Sequence, residues 1–174
     1  MSESGDDAPR RDDAGVVTWQ LGRRPRGRWR VAARCRYGFP QAIETEPVLP
    51  GGEPFPTLYY LTCPYLVEAA SAAESEGELA RFDARASTDA AFAARMREAH
   101  EEVVSRRAAA ARGSDPCGGV GAAGQRDPLA TKCLHARIAT ALAGIGDPVG
   151  EAMIERVGAA CGDARCDGRS HDGR

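Results

Sequence analysis

The chain predicts an α+β fold: a small antiparallel sheet of two or three strands packed against three or four helices, in a single domain. Three observations lead there. Strand-like segments are confined to about residues 28–63, helical periodicity follows them, and 174 residues without an internal repeat suit one compact core. Residues 1–14, opening "MSESGDDAPRRDD", lack the apolar side chains that would offset ordering entropy, so a disordered tail is expected there. The domain is expected over 15–160, with a flexible polar C-terminal tail over 161–174.

Each element has a local reason. "RWRVAARC" alternates imperfectly, and "QAIETEPVL" spaces Ile43 and Val48, with "YGFP" between them as a tight turn. "TLYYLTC" is aromatic and β-branched, bounded by prolines, and reads as the third strand. Pro64 suits the first position of a helix running to about Gly77, which makes Cys63 its N-cap and buries Leu66, Ala70 and Ala73. A longer helix, roughly Thr88 to Arg112, carries Phe92, Met96, Ala99 and Val103 on one stripe. Asp127-Pro128 reads as the start of the helix holding "TKCLHARIATALA", whose buried stripe is Leu134, Ile138, Ala141 and Leu142. "VGEAMIERVGAAC" is the last helix.

Composition excludes some functions. A net charge of −2 argues against a surface built throughout for nucleic acid. No apolar run reaches the roughly 20 residues of a membrane span, so no membrane insertion is expected. The polar N-terminus has no apolar core of a secretory signal, which leads to an expectation of a cytoplasmic protein. In that reducing compartment six cysteines read as thiols or metal ligands rather than disulfides.

Four blocks resemble a known family: "LGRRPRG", "VAARCRYGFPQAIETEPVLPGGEPFPTLYYLTCP", "TKCLHARIATALA" and "GDPVGEAM". They are similar to the uncharacterised bacterial family called domain of unknown function 501, common in actinobacteria, over about residues 20–155. The resemblance implies no activity. Members of that family tend to carry histidine at the position of Thr140, where this chain has a hydroxyl that is a poor ligand for a soft metal.

The chemistry-bearing candidates are cysteines, histidines and arginines. Cys35, Cys63, Cys133 and His135 form the candidate metal set, with zinc or an iron–sulfur cluster as the cofactor such donors would hold. Residues two apart on a helix diverge by about 200°, so Cys133 and His135 can share an ion only if Cys133 precedes the regular helix. Cys63, at a helix N-terminus, is also a candidate reactive thiolate. His100 falls on an apolar stripe and reads as a boundary histidine.

Seven arginines and no acid occur between Gly22 and Arg36. On a strand, Arg28 and Arg30 would project together, a candidate contact for a phosphate-bearing ligand such as a nucleotide, polyphosphate or nucleic-acid backbone; whether any such partner is an enzyme substrate is open. "GVGAAG" matches a dinucleotide fingerprint in letters but lacks the preceding strand, so it reads as a loop. Cys161, Cys166 and His171 have metal-like spacing in the polar tail and read as incidental.

Overall fold

The computed structural model describes residues 12–112 and 115–170. Six α-helices and three strands are present among them: α1 (Asp13–Leu21), β1 (Trp29–Arg34), β2 (Pro40–Thr45), β3 (Tyr59–Leu61), α2 (Pro64–Ser75), α3 (Glu78–Thr88), α4 (Ala90–Ala110), α5 (Leu134–Leu142) and α6 (Pro148–Val157). The strands form one antiparallel sheet in the order β1-β2-β3. This is the α+β architecture the sequence predicts.

The sheet and helices close on one core. Ala42 and Leu61 from the strands meet Leu66 of α2, Met96 of α4, Leu134 and Ile138 of α5, and Met153 of α6. Helix α5 lies at the centre and packs on β3, β2, α2 and α6. The stripes expected on α2 and α4 are buried as read, and on α5 Leu134 and Ile138 are fully buried while Ala141 and Leu142 are half-buried. Arg137, Ala139 and Thr140 are buried as well, so α5 is enclosed on nearly every side.

Two helices escape the sequence reading. Helix α1 holds "DAGVVTWQL", whose β-branched run has weak helical preference; its buried Val16 and Val17, and its packing on β2, come from tertiary contact. It begins at Asp13, inside the segment expected to be a tail, while residues 1–11 of that segment lie outside the described residues. Helix α3 starts immediately after Gly77, whose φ of 87° turns the chain out of α2. Its Phe82 stacks on Phe92 of α4 with centroids 6.2 Å apart.

One expected boundary is corrected. Asp127 does not cap α5: its carboxylate accepts the Leu129 N–H at 2.9 Å, closing a local turn, and the chain stays irregular until Cys133. Asp and Pro are as suited to such a turn as to a helix start. The residues after α6 also differ from a polar tail, because Cys161 and Cys166 are buried; His171 lies outside the described residues. No helix among the described residues is long and apolar enough to cross a membrane.

Arg107 of α4 is 0% exposed and ties three segments together. Its guanidinium makes a bidentate pair with Asp115, both contacts at 2.9 Å, and donates to the Phe55 and Pro56 carbonyls. The Arg107 hydrogen bonds hold the Asp115 carboxyl below its usual value, against the opposing effect of burial. Because the folded value is depressed, the pair stabilises the fold at neutral pH. That contribution is lost as pH falls from the ordinary carboxylate value of about 3.9 toward the depressed one. Asp115→Asn should therefore cost about 3–5 kcal/mol at neutral pH, because it strands the buried arginine. Urea denaturation of both proteins should show a constant gap at neutral pH that narrows below the carboxylate range; a gap indifferent to acid would refute this account.

Candidate functional site

Cys133 and His135 come together at the start of α5, and the way they do so satisfies the condition set by helix geometry. The helix begins at Leu134; Cys133 is in extended conformation at φ −155° and ψ 120°. Its side chain is thereby freed from the helical 100° step. Cys133 Sγ lies 3.7 Å from His135 Nδ1.

The third member is Glu74, near the end of α2. Its Oε1 lies 3.2 Å from the same His135 Nδ1 and accepts the Leu134 N–H at 2.7 Å. Glu74 thus closes one of the open donors of α5 from another element, a tertiary substitute for a local cap. The donor atoms of Glu74, Cys133 and His135 all lie within 4.8 Å of one another. The opposite ring nitrogen, Nε2, meets Ser71 Oγ at 3.1 Å. Ser71 sits one helical turn before Glu74, so one face of α2 holds both sides of the ring.

Electrostatics follow the geometry. Burial alone would raise the Cys133 thiol, but the His135 hydrogen bond and the Ala136 N–H outweigh it and hold the thiol below its ordinary value. His135 is raised, first by its hydrogen bond to Cys133 against the opposing effect of burial, with Glu74 adding.

This constellation distinguishes two chemistries. A nucleophile–base–acid triad needs the imidazole to face the nucleophile with one nitrogen and the acid with the other. Here thiol and carboxylate share Nδ1, which excludes Cys133 as the nucleophile, whereas Ser71 on Nε2 and Glu74 on Nδ1 take the order of such a triad. Three potential donors within 4.8 Å of one another, with the far nitrogen held by a polar partner, are also compatible with metal ligation. Bonds of about 2.3 Å to sulfur and 2.0–2.2 Å to nitrogen and oxygen place tetrahedral ligand atoms roughly 3.4–3.6 Å apart. The observed 3.7 and 3.2 Å bracket that range. An iron–sulfur cluster does not fit this group, which offers one thiolate.

Beside these residues opens a cleft of about 570 Å³, with Cys133 and His135 in its wall next to Lys132, Tyr59 and Tyr60.

The other candidates go elsewhere. Cys35 and Cys63 are not in the Cys133 group; Cys63 instead neighbours Cys161 and Cys166. Cys63 does stand at the N-terminus of α2, but it is buried, and burial pushes its thiol up despite the Leu66 and Tyr65 N–H groups, so the thiolate is disfavoured there. His100 faces Gly121, where an added Cβ would fall 2.4 Å from its Nδ1, and burial lowers its basicity, with Arg137 adding. Thr140 is buried and donates to the Ala136 carbonyl. "GVGAAG" forms a loop with a short 3₁₀ turn over Ala122–Gly124.

Arg28 and Arg30 both project outward from the edge of the sheet, as alternation predicts. Each faces a glutamate on or just after the neighbouring strand β2: Arg28 Nε to Glu46 at 2.8 Å, and Arg30 to Glu44, its direct cross-strand partner, at 2.7 Å. A phosphate there would have to displace these carboxylates. Arg34 leaves the stripe at a β-bulge and pairs with Asp13 of α1 at 2.7 Å.

No curated protein and no solved structure matches the chain. A family profile does, over residues 31–155, a span that contains Glu74, Cys133 and His135. Most of the described fold falls within that match, and the chain belongs to the family of proteins of unknown function called DUF501.

Proposed function

We propose that the chain is a metal-binding protein in which Cys133, His135 and Glu74 hold one divalent transition metal, zinc by its donor preference. The observation that carries this reading is the sharing of His135 Nδ1 by the thiol and the carboxylate, with Ser71 orienting the ring from behind. A soft thiolate, an imidazole and one carboxylate suit zinc better than magnesium or calcium, which prefer oxygen alone.

Three protein ligands leave a fourth position toward the cleft. Closed four-ligand zinc sites are structural, whereas three-ligand sites keep a place for water or substrate. The reading is therefore a centre that responds to what enters the cleft, as a sensing or substrate-binding site does. Glu74 has a double role, since the oxygen that would bind metal also accepts the Leu134 N–H.

Two measurements test this. Metal analysis of protein purified without chelator should find one more equivalent of zinc in the wild type than in Cys133→Ser/His135→Ala. Cobalt substituted at the site should give a sulfur-to-cobalt absorption that the double variant lacks. Equal metal content in both proteins overturns the proposal.

The second measurement separates the two roles of Glu74. Glu74→Gln keeps a carbonyl oxygen for the Leu134 N–H, so its apo form should unfold in urea close to the wild type. Glu74→Ala should lose about 0.5–2 kcal/mol, the usual worth of a helix cap. Both should lower zinc affinity, by at least about tenfold, as loss of a ligand does. Glu74→Gln that binds zinc as tightly as the wild type would remove Glu74 from the ligand set.

A further inference from the structure

The wall of the cleft beside Cys133 and His135 is largely apolar. Strand β3 gives it Tyr59, Tyr60 and Leu61, and helices α1 and α2 add Leu21 and Val67. Its volume of about 570 Å³ falls within the roughly 300–1,000 Å³ of small-molecule sites. A ligand with an apolar body gains by leaving water for such a wall.

Charge in the wall has one sign. Lys132 is the chain's only lysine, and it lines the cleft. Among the described residues no aspartate or glutamate lines the cleft, and Lys132 makes no ion pair. Surface arginines are treated otherwise: Arg28, Arg30, Arg95 and Arg156 each meet a glutamate. Two further cations stand at the tyrosines. Arg106 donates to the Tyr59 hydroxyl at 3.3 Å, and Arg23 to that of Tyr60 at 3.5 Å. An anion entering the cleft therefore meets an attractive field with no carboxylate to displace, unlike one at Arg28 and Arg30.

The backbone narrows the choice of anion. The turn over Ala122–Gly124 brings Ala123 into the wall, in the left-handed region at φ 57°. That conformation is unfavourable for alanine and persists where its surroundings hold it. Here Gly124 abuts Pro56, where an added Cβ would fall 2.8 Å away. The Gly121, Gly124 and Gln125 N–H groups are used within the turn, and that of Lys132 on Gln125 Oε1. Phosphate sites gather backbone N–H groups or guanidinium forks, whereas these N–H groups are closed and the wall offers one ammonium. One ammonium balances one negative charge. A carboxylate carries that at neutral pH, and a phosphate monoester carries more.

We propose that this cleft binds a small organic acid, with its carboxylate paired to the Lys132 ammonium and its apolar body against Tyr60, Leu61 and Val67. The flexible four-carbon stem of lysine lets the ammonium follow the head group. Lys132 directly precedes Cys133, so a bound acid stands beside the proposed metal centre. It does not need the metal, because the lysine matches its charge. The inference thus goes beyond the metal reading and stands without it.

The test uses the full-length protein with two monocarboxylates of different body, 3-phenylpropionate and octanoate. 3-Phenylpropionamide and phenyl phosphate are the controls. Calorimetric titration with chelator present should show both acids binding, and the neutral amide weaker by at least about tenfold, as loss of a charge-assisted hydrogen bond predicts. Lys132→Gln should weaken both acids by a similar factor and leave the amide unchanged, whereas Lys132→Arg should keep most of the affinity. Lys132 is exposed and its backbone N–H bond survives substitution, so both variants should fold as the wild type does. A second readout needs no variant: acetic anhydride labels Lys132 as the one ε-amine, and either acid should slow that labelling, read by peptide mass, where the amide does not. No binding of either acid at millimolar concentration, equal binding by Lys132→Gln, or tighter binding of phenyl phosphate overturns the proposal. Acid binding that disappears with chelator belongs to the Cys133 centre and overturns it as well. The two readings fail separately, since zinc content equal in wild type and Cys133→Ser/His135→Ala sinks the metal centre and leaves acid binding in chelator as expected.

Discussion

The arrangement of the helical half depends on one buried ion pair, Arg137 with Asp147. The contact is 3.1 Å, and both side chains are withdrawn from water. Removing two charges from water costs several kcal/mol per ion, so such a pair survives only where further hydrogen bonds satisfy both groups. Here they do. Asp147 accepts the Val149 and Gly150 N–H groups and caps α6, while Arg137 donates to the Ala130 carbonyl at 2.8 Å. The pair therefore fixes the start of α6 on α5 and holds the strand-like approach to α5 in place. At the same contact Gly150 meets the Arg137 backbone so closely that an added Cβ would lie 2.1 Å from its carbonyl oxygen. Ion pair and glycine together set how near the two helices come.

That approach is also what makes the candidate metal centre. Because Ala130 is held by Arg137, the chain enters α5 extended, and Cys133 stays outside the helix, where its sulfur can face His135. Glu74 completes the junction from α2. A regular helical turn reaching back to Cys133 would separate the two side chains by about 200° and dissolve the group. Structure and site therefore share a cause at the start of α5: the Ala130 carbonyl before the helix is bound by Arg137 of that helix, and the open Leu134 N–H by Glu74 of α2.

Much of the fold is legible in the sequence because its signals are local. Proline at residue 64, the alternation of β1, and the stripes of α2 and α4 each lie within one element. What is not legible depends on distance. Glu74 is 60 residues from Leu134, and nothing marks it among the acids of α2. Helix α1 is stabilised by burial of Val17 rather than by its own preference, and α3 hides behind the single glycine that separates it from α2. Asp127-Pro128 shows the reverse problem, a sound local signal used for a turn instead of a helix. The arginines mislead in another way. A run without acids suggests a free basic stripe, but Glu44, Glu46 and Asp13 arrive from neighbouring elements to face Arg30, Arg28 and Arg34.

The cysteines make the same point about partners. Sequence order places Cys35 and Cys63 with Cys133 as a set, since all three follow strands or precede helices. Register decides otherwise. The β-bulges between Val31 and Arg34 set where β1 ends, and pairing of β2 with β3 carries Cys63 to that same end of the sheet. Helix α5 packs on both the sheet and α2, so Cys133 at its start finds His135 of the same helix and Glu74 of α2. Cys63 is instead influenced by the nearby Cys161 and Cys166, and Cys166 by Cys35, from a segment whose composition alone predicts no fixed structure. A thiol in this chain has its role set less by its own neighbours in sequence than by which end of a three-stranded sheet it reaches.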